Sequence, residues 1–261
     1  MSTLTGKTPS ATHKDLLKIE NTNSGIDDTL WQIESGSGVG SALYIEKNST
    51  KIVPTTDDSA LLDVQNVAGS SKFKVDSSTP LVQALGHSVN TQYAYFGASS
   101  SDISSFAANT HYPIPFGFGT TTTQSDVDFG TSTDPDDTFT TANTDTQYAS
   151  QLVPVLWRVP DNITIDSVTH VEGADNATGD TTRMHLKSFT FTSGATACLT
   201  AGALLAHNSD VTNAGNEQPY LSTWSLDSAD VDANKVILCF FRSDSVNSDF
   251  SINVTVKYHL R

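Results

Sequence analysis

Basic charge, sulfur and long apolar runs are all scarce in this chain. Its 261 residues hold 14 Lys and Arg against 29 Asp and Glu, a formal net charge of −15. From Val75 to Trp157 there is no Lys or Arg, while eight Asp fall in the same span. An acidic surface of this kind repels the phosphates of nucleic acid and matches an anionic membrane face poorly. No run approaches the roughly 18 apolar residues of a membrane-crossing helix. The two cysteines, Cys198 and Cys239, sit singly in apolar runs. Two cysteines make no disulfide framework, and free cysteine behaves as a small buried hydrophobe. Hydrophobic residues make up 37%, lean for a globular enzyme. Ser, Thr, Asn, Asp and Gly take their place, and these favour turns and short strands over helices.

Motifs for chemistry are equally sparse. Gly6-Lys7-Thr8 has the ending of a phosphate-binding loop, but the first glycine of that signature would fall at Met1, and no strand precedes it. Gly36-Ser37-Gly38-Val39-Gly40 lacks dinucleotide spacing and reads as a turn. The histidines are His13, His87, His111, His170, His185, His207 and His259. None stands at the His-x-His or His-Glu-x-x-His spacing of a metal site. There is no Gly-x-Ser-x-Gly elbow. Asp134, Asp136 and Asp137 form an acidic turn without the calcium-loop pattern, which reads as a solvated loop. The sequence implies no cofactor and no metal, and a non-enzymatic protein.

What is present is β periodicity. Short strands are expected at Ser41–Ile45, Lys51–Pro54 and Ser59–Val64. A hairpin turns at Ala68-Gly69-Ser70-Ser71 into Lys72–Asp76, where Phe73 and Val75 alternate with charge. The openings Ser41-Ala42-Leu43 and Ser59-Ala60-Leu61 suggest a short repeat. These strands carry too few large apolar residues to offset their backbone entropy alone, so stacking against other copies of the chain is expected. The run Thr120–Gln147 reads either as a long exposed loop or as short strands at an oligomer surface. From Gln151 on the signal strengthens. Leu152–Trp157 is a buried apolar run, and Arg183–Phe191 alternates with Met184, Leu186, Phe189 and Phe191 facing inward. Val236–Phe241 is a further strand. In the last strand Phe250, Ile252, Val254, Val256, Tyr258 and Leu260 occupy every second position, which means one dry and one wet face. The expected fold is mainly β: a short-stranded neck, then an antiparallel β-sandwich of jelly-roll type.

Three stretches carry a family resemblance. The leader Leu4-Thr5-Gly6-Lys7-Thr8-Pro9-Ser10-Ala11-Thr12 with Lys14-Asp15-Leu16-Leu17, the Ser-Ala-Leu and Lys-Phe-Lys-Val-Asp-Ser-Ser segments, and Pro154–Ile165 with Asn213-Ala214-Gly215 and Ser248–Arg261 resemble fibre-type virion proteins of tailed, marine bacteriophages. The resemblance implies a homotrimer in the virion, assembled in the bacterial cytoplasm. It implies an N-terminal anchor over residues 1–30 with Lys7, Pro9, Lys14, Leu16 and Leu17 meeting other virion proteins, a neck over 31–90, and a head over 91–261 that meets the host surface. A capsid decoration fibre without receptor binding and a glycan-cleaving tailspike are the alternative roles. Two basic stripes, Arg183, His185 and Lys187 on one expected strand face and Lys257, His259 and Arg261 on the wet face of the last strand, are the candidate contacts for a host surface glycan. A solvated or salt-bridged face is the plainer reading of both.

Overall fold

The computed structural model describes residues 17–19, 25–36, 38–79, 81–99, 107–119, 127, 129–141, 149–175, 178–215, 218–244 and 249–261. It is mainly β and divides into two compact units, Met1–Val89 and Asn90–Arg261. The anchor candidates Lys7, Pro9, Lys14 and Leu16 lie outside the described residues. Leu17 lies within them and is exposed. Among the described residues no helix is long and apolar enough to cross a membrane.

The first unit consists of two antiparallel meanders. One runs through β1 (Leu17–Ile19), β2 (Trp31–Ser35), β3 (Gly40–Ile45) and β4 (Thr50–Ile52). The other runs through β5 (Leu62–Gln65), β6 (Ser71–Asp76), β7 (Leu81–Ala84) and β8 (His87–Ser88). The expected hairpin is β5–β6, with Val64 opposite Phe73. The expected repeat does not form: Ser41-Ala42-Leu43 lies in β3, whereas Ser59-Ala60-Leu61 is a turn. The Asp58 carboxylate accepts the Ala60 N–H at 2.7 Å, and this local bond competes with strand pairing. Among the described residues of this unit, Glu34 is the one buried side chain. Its apolar residues are half-buried or exposed, including Ile26, Val39, Val64, Val67 and Phe73.

The second unit is built from β9 (Thr91–Ser99), β10 (Tyr112–Ile114), β11 (Gly117–Gly119), β12 (Trp157–Arg158), β13 (Ile163–Asp175), β14 (Thr181–Phe191), β15 (Leu199–His207), β16 (Val211–Thr212), β17 (Gln218–Thr223), β18 (Ser225–Leu226), β19 (Asp230–Val231), β20 (Lys235–Ser243) and β21 (Asp249–Leu260). One sheet has the order β11-β9-β21-β13-β17, with β19 on β13. The other has the order β10-β20-β14-β15-β18, with β12 on β20 and β16 on β14. Pairing is antiparallel except for β11 on β9. Both sheets contribute to one apolar cluster. Ala94, Phe96, Val168, Ile252, Val254 and Val256 come from the first; Met184, Leu186, Leu205, Ile237, Cys239 and Phe241 come from the second.

A second cluster covers the opposite face of the β20-β14-β15 sheet. There Phe189, Leu199, Val236, Leu238 and Phe240 meet Val127, Phe129, Phe139, Leu152 and Val155. Strand β20 is therefore buried on both faces, which is why Val236–Phe241 is apolar without interruption. Three expectations are corrected here. Phe189 faces this second cluster, away from Met184 and Leu186, because odd and even positions of a strand point oppositely. Phe191 is exposed. The run Leu152–Trp157 is not a strand: it ends a helical turn, α1 (Ala149–Leu152), passes through a 3₁₀ turn at Val153–Val155, and only then enters β12. Pro154 supplies no N–H to a ladder and suits the start of a helical turn.

The core should tolerate truncation only where it is already open. Phe96 is fully buried and meets Phe116 edge-on at 5.4 Å and Trp157 at 6.3 Å. Phe96→Ala is expected to cost about 3–5 kcal/mol. Phe191→Ala, at a residue 43% exposed, should cost below about 1 kcal/mol. Urea unfolding followed by tryptophan fluorescence compares the two, and equal costs would refute this assignment of the core.

Candidate functional site

The two basic stripes lie on different sheets and point away from each other. Met184 and Leu186 of β14 enter the shared core, so Arg183, His185 and Lys187 face outward from that sheet. Val256 of β21 enters the core and Tyr258 and Leu260 pack against it, so Lys257, His259 and Arg261 face outward from the other. No single cationic patch joins them.

The β14 stripe is also not a wet face. His185 is 2% exposed and Lys187 3%. Lys187 Nζ donates to the Pro135 carbonyl at 2.8 Å and ion-pairs with Asp137. His185 Nε2 lies 3.3 Å from Asp134 Oδ1, and Arg183 Nε lies 3.3 Å from Asp210 Oδ1. The acidic turn expected to be solvated thus lies over this strand and neutralises it. Two glycines make the approach feasible. Gly130 adopts φ +96°, and a Cβ there would lie 2.7 Å from Asp136 Oδ1. A Cβ on Gly202 of β15 would meet the Phe189 ring at 2.8 Å and the Asp137 Cα at 2.9 Å.

On the β21 stripe, His259 Nδ1 lies 2.9 Å from Asp166 Oδ1, while Arg261 reaches Asp230 at 3.3 Å and Asp232 at 2.9 Å. Lys257 alone of the six has no ion pair among the described residues. Five of the six candidate contacts thus already have carboxylate partners within the chain.

Folding also assembles groups that are separate in the sequence. The His111 and His185 rings meet edge-on at 5.0 Å, and His185 stacks with His207 at 6.4 Å. Burial lowers the pKa of His111 and, with the neighbouring cations, takes His185 down to about 3. His207 Nδ1 lies 2.7 Å from Asp227 Oδ2. Among the described residues no group of three or more His, Cys, Asp or Glu is placed to hold a metal ion.

The most perturbed carboxylic acid among the described residues is Glu172, 3% exposed inside the core. The Thr182 hydroxyl lies 2.7 and 2.9 Å from its two carboxylate oxygens. His170 Nε2 stands 3.8 Å from Oε2, and Trp224 Nε1 donates to His170 Nδ1 at 2.6 Å. That bond leaves the neutral ring's proton on Nε2, facing the glutamate. Burial raises Glu172 to about 7 and lowers His170 to about 4. A catalytic acid must reach its substrate, and this pair is sealed, so it is a structural polar chain. Its position results from the β-bulge between Ile165 and Ser167. The alternation begun by Ile163 and Ile165 would have placed Val171 inside. The bulge reverses the parity, so Val168, His170 and Glu172 turn inward and Val171 turns out.

The pH dependence has a definite sign. The folded pKa of Glu172 lies above its ordinary value of 4.5, so its contribution is whole below pH 4.5 and lost as pH rises through about 7. His170, lowered from 6.5 to about 4, acts oppositely, losing stability as pH falls through about 4. Glu172→Gln keeps an acceptor for Thr182 and removes the charge. It is expected to stabilise the protein on the order of 3 kcal/mol at pH 8 and to change little at pH 4. Denaturant melts at the two pH values decide; equal gains at both would show that charge burial is not the cause.

No protein-family model matches the chain, and no curated protein matches it by sequence.

Proposed function

We propose that this chain is a fibre-type virion protein of a tailed bacteriophage, a homotrimer that docks on the particle through its N-terminus and presents the second unit to the host surface without chemical turnover. The observation that carries this reading is the contrast between the two units. The second has a double core. The first, over its described residues, has eight short strands and one buried side chain. Strands of that composition do not offset their ordering entropy as single copies. Association with further copies supplies the missing burial, as fibre necks require.

The head reading is a jelly roll. Its supporting feature is strand order: β9-β21-β13-β17 in one sheet and β10-β20-β14-β15 in the other. Successive long strands cross between the sheets, apart from the β14–β15 hairpin, as in a double Greek key. Host contact is not assigned to the basic stripes, because five of their six members already have carboxylate partners within the fold. Repetition of the head on one particle would strengthen a weak individual surface contact.

Three measurements test the proposal. Light scattering of the purified full-length protein is expected to report a trimer of the 27.8 kDa chain; a monomer would overturn it. Deletion of residues 1–25 should leave a soluble trimer that no longer enters particles, and normal incorporation would remove the anchor role. Incubation with host envelope polysaccharide, followed by sizing of the sugar, should leave its length unchanged. Shortened chains would establish a tailspike depolymerase instead.

A further inference from the structure

We propose that the open face of the β9-β21-β13-β17 sheet is the surface through which heads of separate copies associate; this rests on the oligomeric reading above. The face follows from the register. Tyr93 lies beside Lys257, which lies beside Ser167. Tyr95, Thr255, Thr169 and Thr223 form the next row. Gly97, Asn253, Val171 and Leu221 form the third. All point away from the core into which Ala94, Phe96, Val254 and Val256 project.

Two properties distinguish this face. It holds large apolar groups in the open: Tyr93 is 54% exposed, Tyr95 51%, Val171 50% and Leu221 75%. Single exposed hydrophobes are ordinary, but a cluster on one face marks an interaction surface. The three rows also contain no carboxylate, in a chain with 29 Asp and Glu and a net charge of −15. On the same strands Glu172 is turned into the core, and Asp166 is already occupied by His259. Copies so strongly negative repel one another, so they approach most readily where negative charge is absent.

The occupant is therefore a second copy of this chain. Val171 and Leu221 offer a small ligand no hydrogen bonds, whereas small-ligand sites rely on convergent polar groups. Four strands by three rows cover roughly 300 Å². A stable interface buries about 800 Å² per partner. The face is thus the centre of a larger contact that its rim completes.

Thiol labelling of the full-length protein tests this. Cys198 and Cys239 are both free and buried, so an introduced surface thiol dominates the signal. Leu221→Cys reports on the face, and Ser193→Cys, in the exposed turn after β14, is the control. In the native oligomer Cys at 221 should react with maleimide at least about tenfold more slowly than Cys at 193, the factor that about 1.4 kcal/mol of closure imposes. Both should react alike in denaturant. A second variant, Val171→Asp with Leu221→Asp, should lower the concentration stability of the oligomer without altering the circular dichroism of the fold. If the oligomer forms and the thiol at 221 reacts as fast as the control, the interface assignment is overturned and the oligomeric reading stands. If host polysaccharide then protects the thiol, the face is a glycan platform and self-association there is refuted. A wild-type protein that is monomeric at every concentration would remove both readings.

Discussion

The burial of β20 on both faces is the constraint on which the second unit depends. Its odd positions, Ile237, Cys239 and Phe241, complete the core between the two sheets, and its even positions, Val236, Leu238 and Phe240, seat the covering segment. Side chains that alternate across a strand allow six consecutive residues to serve two cores. The covering segment then has a reason to lie where it does. Phe129 meets Phe240 at 4.9 Å and Phe139 at 5.7 Å. The backbone of Phe139 bridges to Leu199 of β15. Once those aromatic groups are seated, the acidic turn at residues 132–137 is carried over β14, and Asp134 and Asp137 arrive above His185 and Lys187.

This arrangement explains how a cationic stripe comes to be buried at tolerable cost. An ammonium withdrawn from water is strongly unfavourable without a partner. Lys187 obtains both a carbonyl and a carboxylate. His185 obtains a carboxylate, and its low pKa leaves it neutral at ordinary pH. In the core itself, Glu172 is accommodated by a different device: its pKa rises towards neutrality, and Thr182 and the Trp224–His170 pair surround it. Lys187 and Glu172 are thus both partnered by groups brought from other strands and segments of the chain.

The two units solve the problem of thin strands differently. The second closes two sheets on one another and adds a cover. The first pairs its strands but leaves its apolar side chains at the surface among the described residues. Hydrogen-bonded ladders alone contribute little net stability, because the unfolded chain bonds equally well to water. In the oligomer proposed above, further copies of the same thin unit supply the apolar burial that these ladders lack. On the same proposal, the carboxylate-free face of the second unit gives those copies a second place to meet.

The strands of the second unit were legible because periodicity is local. The alternation of β21 and the uninterrupted run of β20 follow from which side of a pleat each residue occupies, and a dozen residues suffice to read it. The β5–β6 hairpin was legible for the same reason, its turn residues standing between two alternating runs. What the sequence alone determined was therefore the class of fold and the dry face of its clearest strands. The tertiary structure decided which of the remaining faces are wet. A bulge of one residue between Ile165 and Ser167 reversed the parity of β13, turning Glu172 inward and Val171 outward. A segment some fifty residues upstream sealed Lys187. Neither event leaves a periodic trace, because a bulge breaks the period and a covering loop acts through contacts remote in the chain.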